Sequence, residues 1–239
     1  LVQGYGADIV LLTEENFRMN TVDEQGAAKP GGWPYDGLGE KLDGPRISAV
    51  KAVAQELGIY VVVPFRMLLA SGESYNAAVV VGRDGELVLS TSGVPYYQKV
   101  FPCLGYPMGS ISASWPGGYA AYGDIDHGGE SPLIPGQQGV QVWDLPSIGR
   151  IAIIICFDVN FMELWHQAYA LGAQVVFWPS MMATPDRDAI SAARLFRYHI
   201  VANGWMTYGG PADPSLPAVP ARPFYSPGTV LDSTGRTVK

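Results

Sequence analysis

The chain has 239 residues, enough for one large domain, and its apolar fraction of 48% can fill a sizeable core. The net charge of −7 and the scattering of its 15 Lys and Arg residues argue against nucleic-acid binding, and the sequence has no apolar run long enough to cross a membrane. Charged residues make up only 15% of the chain, against about a quarter in an average soluble domain. We therefore expect a subunit interface to cover part of the surface.

The first half of the chain carries clear signals for strands and one helix. Pro45 can begin a helix, because its fixed φ suits the first turn, and Gly58 can end it. The run Arg83-Asp84-Gly85 is typical of a hairpin turn. The predicted elements are, in chain order, a strand at residues 9–12, a helix at 45–57, and strands at 60–65, 76–81 and 86–90.

The second half alternates strands and helices after a long loop at residues 102–139 that is rich in Gly and Pro. The predicted elements are strands at 140–145 and 150–156, a helix at 162–171, a strand at 175–178, a helix at 186–203 that ends at Gly204, and strands at 205–208 and 229–231. Such alternation indicates the α/β class, and the pattern by itself predicts a single, doubly wound parallel sheet.

The cysteines and histidines limit the compartment and the chemistry. Two cysteines, Cys103 and Cys156, are too few for a disulfide framework, so the cytoplasm is the expected location. His127, His166 and His199 have no metal-ligand spacing, and we expect neither a metal nor another cofactor.

Cys156 is a candidate nucleophile because it directly follows the apolar run at residues 151–155, shortly before a helix. A thiol at a sharp strand-to-helix turn is rigidly held, and the backbone N–H groups of the next turn favour a thiolate and a developing oxyanion. The alternative is a small buried side chain with no chemical role, which is the commoner fate of a lone cysteine.

Two charged residues could assist this thiol. Glu14 follows the strand at residues 9–12, at the end of the strand where α/β proteins gather catalytic groups. Lys99 lies among aromatic residues, where an ammonium is unfavourable unless it has a partner or a function. Taken singly, Glu14 could be a solvated loop charge and Lys99 a surface lysine with a buried stem.

Three segments together resemble the nitrilase superfamily of carbon–nitrogen hydrolases, in its amidase-like branch. They are ADIVLLTE at residues 7–14, YNAAVV at 75–80 followed by DGE at 84–86 and YQKV at 97–100, and RIAIIICFD at 150–158 with Phe161 and Glu163. The resemblance spans almost the whole chain, and the order Glu, Lys, Cys is that of the family.

The resemblance implies a four-layer αββα sandwich instead of the single sheet that the pattern predicts. It also implies a homodimer or larger homo-oligomer, with the helices that begin near residues 162 and 186 as the candidate interface. The sequence opens at Leu1 with a segment typical of a helix end and turn. We therefore expect residues 1–239 to be a single domain that is a fragment at both ends and lacks the family's N-terminal strand.

The resemblance further implies a mechanism for hydrolysis of an amide or carbamoyl C–N bond in a small molecule. Glu14 would be the base, Cys156 the nucleophile that forms a thioester, and Lys99 the oxyanion partner together with the N–H of Phe157. Glu130, before Pro135-Gly136, matches a second glutamate of the family that would orient Lys99 or the substrate. A solvent-exposed acid in a loop is the alternative for Glu130.

Several positions depart from the family pattern. Thr13 replaces the usual Pro before the glutamate, and the adjacent Glu15 could be the base instead. Asn160 stands where some members have an Arg that grips a substrate carboxylate, so Asn160 is a candidate substrate contact of a different kind. Nitrilases proper usually have Cys-Trp-Glu where this chain has Cys156-Phe157-Asp158, which favours amides over nitriles.

Trp178 and Ser180 follow a strand at the expected active-site edge and could contact the substrate, whereas simple core packing is the alternative for Trp178. Three other functions stay open at this level. They are nitrile hydrolysis on the same residues, a binding protein of the same fold without turnover, and an unrelated thiol hydrolase assisted by a histidine.

Overall fold

A computed structural model describes residues 6–14, 39–102, 135–180, 187–204, 206–208, 222–224 and 229–238. Their elements are, in chain order, β1 Ile9–Leu11, α1 Pro45–Leu57, β2 Tyr60–Leu68, β3 Ser74–Val81, β4 Tyr96–Gln98, β5 Val142–Leu145, β6 Gly149–Ile153, a 3-10 helix Cys156–Asn160, α2 Met162–Ala170, β7 Val175–Ser180, α3 Arg187–Phe196, β8 His199–Gly204, β9 Met206–Tyr208, β10 Arg222–Phe224, β11 Thr229–Leu231 and β12 Thr237–Val238.

The strands form two main sheets. The smaller has the order β1-β2-β3-β4, with β1 parallel to β2 and antiparallel pairing beyond it. The larger has the order β12-β11-β8-β7-β6-β5, with a parallel centre of β6, β7 and β8. The short strands β9 and β10 pair separately.

Alternation along the strands divides the core into three clusters and the fold into four layers. In β6, Ile151 and Ile153 face the smaller sheet, whereas Ala152 faces the helices α2 and α3. In β2, Val62 joins the cluster between the sheets and Val63 packs towards α1. Because successive side chains of a strand point to opposite faces, each sheet buries both faces. The layers are therefore α1, smaller sheet, larger sheet and α2 with α3.

This architecture confirms the αββα sandwich and shows that the single parallel sheet predicted from the pattern is wrong. Periodicity reports which residues are buried on both faces of a strand, but it does not report whether a helix or a second sheet covers each face. Here one face of every core strand meets the other sheet, so the apolar runs look like those of a doubly wound fold.

The limits of α1 follow the sequence signals. The helix begins at Pro45 and ends at Leu57. The next residue, Gly58, has a left-handed φ of 64° and donates its N–H to the last turn. Glu40 caps the other end, since its Oε1 accepts from the N–H of Ile47 at 3.0 Å. The prediction of this helix at 45–57 is confirmed.

The predicted helix at residues 186–203 is wrong in its second half. The helix α3 ends at Phe196, Arg197 takes a left-handed φ of 61°, and β8 follows. The β-branched residues Ile200 and Val201 favour a strand, and β8 gains a parallel partner in β7 and an antiparallel partner in β11. Residues 199–203 have helical spacing of apolar residues, but they form a strand because they pair with strands on both sides.

The hairpin prediction is only half right. The turn forms, since the N–H of Gly85 donates to the carbonyl of Gly82 at 3.0 Å. The second arm, however, contributes a single bridge between Val81 and Leu87 and no strand. The chain instead crosses to β4, whose Tyr96–Gln98 strand the sequence analysis did not predict.

The described residues were also compared with what a membrane span or a metal site requires. In the described part of the chain, every helix is too short or too polar to cross a membrane. Over the same residues, His, Cys, Asp and Glu side chains form no cluster suited to a metal ion.

Candidate active site

Glu14 is a buried carboxylate at the end of β1. The ladder to β2 ends at Leu12, whose N–H donates to the carbonyl of Val62, and the chain then turns inward. The side chain of Glu14 is only 2% exposed. Its Oε1 accepts from Lys99 Nζ at 3.0 Å and from Asn76 Nδ2 at 2.9 Å. Two donors on one oxygen hold the carboxylate in a single orientation.

Lys99 is a buried ammonium directly after β4, with a side chain that is 1% exposed. Its main chain is fixed on two sides, because its N–H donates to the carbonyl of Asn76 and its carbonyl accepts from the N–H of Gly136, each at 2.8 Å. A buried ammonium is tolerated where it has an anionic partner, and Glu14 is that partner.

Gly136 allows this contact through its lack of a side chain. A Cβ at this position would lie 2.4 Å from the backbone oxygen of Gln98. The backbone of residue 136 can therefore approach the Lys99 segment only as glycine. This approach brings the end of the 102–139 segment against the Lys99 strand.

Cys156 lies at the break between β6 and the 3-10 helix. Continued alternation after Ile155 would point its side chain towards the helical layer. Instead, Cys156 takes a φ of +46° and packs against the cluster between the two sheets. A left-handed φ is uncommon for a residue with a Cβ and is found where the surroundings hold it, often at functional positions. The indole N–H of Trp178 donates to the carbonyl of Cys156 at 3.1 Å and helps to hold the turn.

Asp158 connects the Cys156 turn to the Lys99 segment. Its Oδ2 accepts from the hydroxyl of Tyr97 at 2.6 Å and from the N–H of Val100 at 3.3 Å, and its Oδ1 accepts from the N–H of Phe101 at 2.8 Å. Burial raises the pKa of Asp158 to about 6, against the lowering effect of these donors and of Lys99. Burial and the neighbouring Asp158 raise the pKa of Tyr97 well above its usual value.

The structure thus brings together segments that are far apart in sequence. Glu14 and Lys99 form a direct ion pair. Cys156 is two residues before Asp158, whose carboxylate accepts hydrogen bonds from residues on both sides of Lys99 in the chain. A carboxylate, an ammonium and a half-buried thiol carried by these connected segments have the chemistry to move a proton, attack an electrophilic carbon and stabilise an anion.

The other predicted site residues have different surroundings. Phe157 is half-buried and meets Phe161 edge to face at 5.6 Å. Asn160 is exposed, and its Nδ2 donates to the carbonyl of Phe157 at 2.9 Å. Trp178 is buried in the cluster under α2 and α3, so core packing and support of Cys156 account for it. Ser180 is buried at the end of β7.

The candidate residues Glu15, Cys103, His127 and Glu130 lie outside the part of the chain that the structure describes. His166 on α2 and His199 on β8 are exposed.

Asn76, Tyr97 and Asp158 are site residues that were not predicted from the sequence. The available signal was a polar or hydroxyl group inside an apolar run, as with Asn76 between Tyr75 and Ala77 in β3. A buried polar side chain in such a position must be paired, and the partner is often a functional group.

Comparison with known proteins identifies related sequences. The model of the carbon–nitrogen hydrolase family matches residues 5–210. A formamidase of Bradyrhizobium sp. (strain ORS 278) is 25% identical over 149 residues, which are 62% of this chain and 35% of that protein. A formamidase of Photorhabdus laumondii is 25% identical over 158 residues, or 65% of this chain and 38% of that protein. The matches therefore span little more than a third of these relatives.

Solved structures share the fold. An amidase from Nesterenkonia sp. superposes with a TM-score of 0.65 at 18% identity, covering 99% of this chain and 73% of that one. A carbon–nitrogen hydrolase from Helicobacter pylori G27 gives 0.64 at 17% identity, covering 99% and 74%. A mutant of the amidase from Nesterenkonia sp. AN1, with the acetamide moiety of fluoroacetamide covalently added at its active-site cysteine, gives 0.61 at 20% identity, covering 99% and 74%.

Proposed function

Because the chain belongs to the carbon–nitrogen hydrolase family, we propose that it hydrolyses a non-peptide C–N bond of a small amide through a thioester on Cys156. The observation that carries the proposal is the buried ion pair of Glu14 and Lys99. Asp158 links the segment that contains Lys99 to the turn that contains Cys156. Replacing a buried ion pair with apolar residues is often neutral or stabilising, so a pair kept in this position favours a functional role over a purely structural one.

In the first half of the reaction, Glu14 takes the proton from the Cys156 thiol. The sulfur attacks the amide carbon, an S–C bond forms, and the carbonyl π electrons move onto the oxygen. The ammonium of Lys99 and the N–H of Phe157 stabilise this oxyanion. Glu14 then gives its proton to the amine nitrogen, the C–N bond breaks, and ammonia or an amine leaves the thioester behind.

In the second half, Glu14 takes a proton from water while the water oxygen attacks the thioester carbon. The oxyanion forms again and collapses, the C–S bond breaks, and the acid product leaves. The proton held by Glu14 returns to the sulfur, so the enzyme is restored. Lys99 keeps its charge throughout, which suits a residue that acts only as an electrostatic donor.

An amide suits the relatives and the residues after Cys156 better than a nitrile. The relatives named above are formamidases and amidases. Phe157 and Asp158 stand where nitrilases proper usually have Trp and Glu.

Glu130 is proposed to orient Lys99 or the substrate. The contact of Gly136 with the carbonyl of Lys99 supports this proposal, since residue 136 lies six positions after Glu130 on the same segment. Glu130→Gln should lower activity, with Cys156 still open to alkylation.

The experiment is ammonia release from short aliphatic amides, carbamoyl compounds and nitriles. Cys156→Ala tests the nucleophile, and Cys103→Ala is the matched control for loss of a thiol. We expect Cys156→Ala to be inactive and Cys103→Ala to resemble the wild type. Activity that survives in Cys156→Ala would remove the assigned nucleophile, and a wild type silent on the whole panel would favour a binding protein of the same fold.

We also propose a homo-oligomer in the cytoplasm. Large apolar side chains are exposed on and beside α2 and α3, namely Tyr169 at 58%, Leu171 at 40% and Leu195 at 68%. A patch of this kind is typical of an interaction surface. Light scattering during size-exclusion chromatography should give at least twice the mass of the chain, and a monomer would contradict the proposal.

A further inference from the structure

Asp158 is a buried carboxylate with no part in the chemical steps described above. Its side chain is fully buried and accepts three hydrogen bonds, all from residues that flank Lys99. Tyr97 donates from the middle of β4, two residues before Lys99, and the amides of Val100 and Phe101 donate from directly after it. Asp158 therefore grips the chain on both sides of the buried ammonium.

Asp158 is also connected to the nucleophile Cys156. Asp158 follows Cys156 by two residues in the same 3-10 helix, and its N–H donates to the carbonyl of Ile155 at 3.0 Å. A second contact reinforces the join, because the rings of Phe101 and Phe161 stack with centroids 3.7 Å apart. These contacts help to set the position of the Lys99 segment relative to the Cys156 turn, and they do not involve the side chain of either residue.

We infer that Asp158 is a positioning residue, which in its ionised form locks the Lys99 segment to the Cys156 turn so that the ammonium meets the oxyanion. This inference rests on the proposed function. A carboxylate accepts from three donors, whereas a carboxylic acid places its own O–H among N–H and O–H donors that face it. Protonation of Asp158 therefore loosens the lock.

The neighbours of Asp158 define what can change its charge. The groups that act on it are Tyr97, Lys99 and the two backbone amides, and burial raises its pKa to about 6. The strand β7, which packs against the 3-10 helix, carries no titratable side chain. On the packed helices α2 and α3, the titratable side chains that the structure describes are Glu163, His166, Tyr169, Asp188 and Arg194. None of these contributes to the pKa of Asp158.

The test compares wild type with Asp158→Asn, which keeps the size and removes the charge. We expect kcat to fall at least about tenfold with KM within about threefold, because misplaced oxyanion donors weaken transition-state binding more than substrate binding. Alkylation of Cys156 by iodoacetamide forms no oxyanion, so its rate should stay within about threefold of the wild type. Asp144→Asn is the control, because it removes an exposed carboxylate on β5 that pairs with Arg150 near the start of β6, and it should leave kcat unchanged.

The pH profile separates the lock from a merely structural carboxylate. In wild type, kcat should fall as the pH drops through about 6, and this limb should be missing from Asp158→Asn. The hydrogen bond from Tyr97 lowers the pKa of Asp158, so Tyr97→Phe should keep the limb and move it to higher pH.

Amide hydrogen exchange measures the contact between Asp158 and the Lys99 segment directly, without any catalytic turnover. The amide of Phe101 should lose protection in Asp158→Asn, and in wild type as the pH falls through about 6, after correction for the intrinsic rate. Unchanged kcat and unchanged Phe101 protection in a folded Asp158→Asn would overturn the inference even if the wild type is a good amidase. A wild type without any C–N hydrolysis, tested on the same samples, would overturn the proposed function and the catalytic purpose of the lock with it.

Discussion

The stability of the Glu14–Lys99 pair can be measured apart from activity. The two atoms are 3.0 Å apart, and the side chains are 2% and 1% exposed. Lys99→Met leaves the buried carboxylate of Glu14 without its positive partner, so it should lower the free energy of unfolding by about 3–5 kcal/mol. The double variant Glu14→Met/Lys99→Met removes both charges and leaves the Asn76 amide without its Glu14 acceptor, which costs about 1–3 kcal/mol.

Urea unfolding followed by circular dichroism gives each free energy and the coupling between the two sites. Each single variant should cost about 3–5 kcal/mol, so the double variant should be more stable than the sum of the single ones predicts by at least about 3 kcal/mol. Lys51→Met is the matched control, since Lys51 and Glu86 form a pair of 2.8 Å on the surface with Glu86 74% exposed, and it should cost at most about 1 kcal/mol. A Lys99→Met protein as stable as Lys51→Met would refute the burial of the pair. All variants at Glu14 or Lys99 should be inactive whatever their stability.

Three further predictions follow from single contacts. Asn76→Ala leaves the Glu14 oxygen with one donor fewer, so kcat should fall and unfolding should become easier by about 1–3 kcal/mol, and steady-state kinetics with urea titration checks both. Trp178→Phe removes the donor to the Cys156 carbonyl, which should cost about 1 kcal/mol and lower kcat, whereas unchanged kcat would mean that the turn holds its strained φ without the indole. The pKa of Asp158 is about 6 when folded against an ordinary 3.8, so its stabilising contribution is complete below about pH 4 and is lost as the pH rises through about 6. The unfolding free energy of wild type relative to Asp158→Asn should therefore fall by about 2 kcal/mol from pH 4 to pH 7, and a rise over that range would contradict the assigned shift.

The Asp158 prediction joins stability to function. At neutral pH the ionised carboxylate is unfavourable for folding, yet it is the form that accepts three donors around Lys99. A protein that keeps such a group accepts a lower stability at a site that needs a fixed geometry.

The sequence predicts best where local and global preferences agree. The helix α1 has Pro45 at its start and Gly58 after its end, and no other segment competes for these residues, so its limits are right. The start of α3 was also close, but its end was not, because strand pairing captures residues from His199 onward. The spacing of residues along one segment does not show which other strands will become its partners in the sheet.

The candidate site shows the same division. Glu14, Lys99 and Cys156 can be selected from the sequence because an ordered set of motifs is more specific than each residue alone. Asn76 and Tyr97 lie within those motifs, but their contacts with Glu14 and Asp158 depend on where β3 and β4 end relative to β1 and the 3-10 helix. Such registers are set by pairing between strands and cannot be found from spacing along one strand.

Trapping the covalent intermediate tests the central claim most directly. Wild type mixed with a short aliphatic amide, quenched with acid and digested, should yield an acylated peptide that contains Cys156, and Cys156→Ser should yield none by mass spectrometry. An acyl group found on Cys103 instead, or steady ammonia release with no acylated cysteine under conditions that trap a thioester standard, would contradict it.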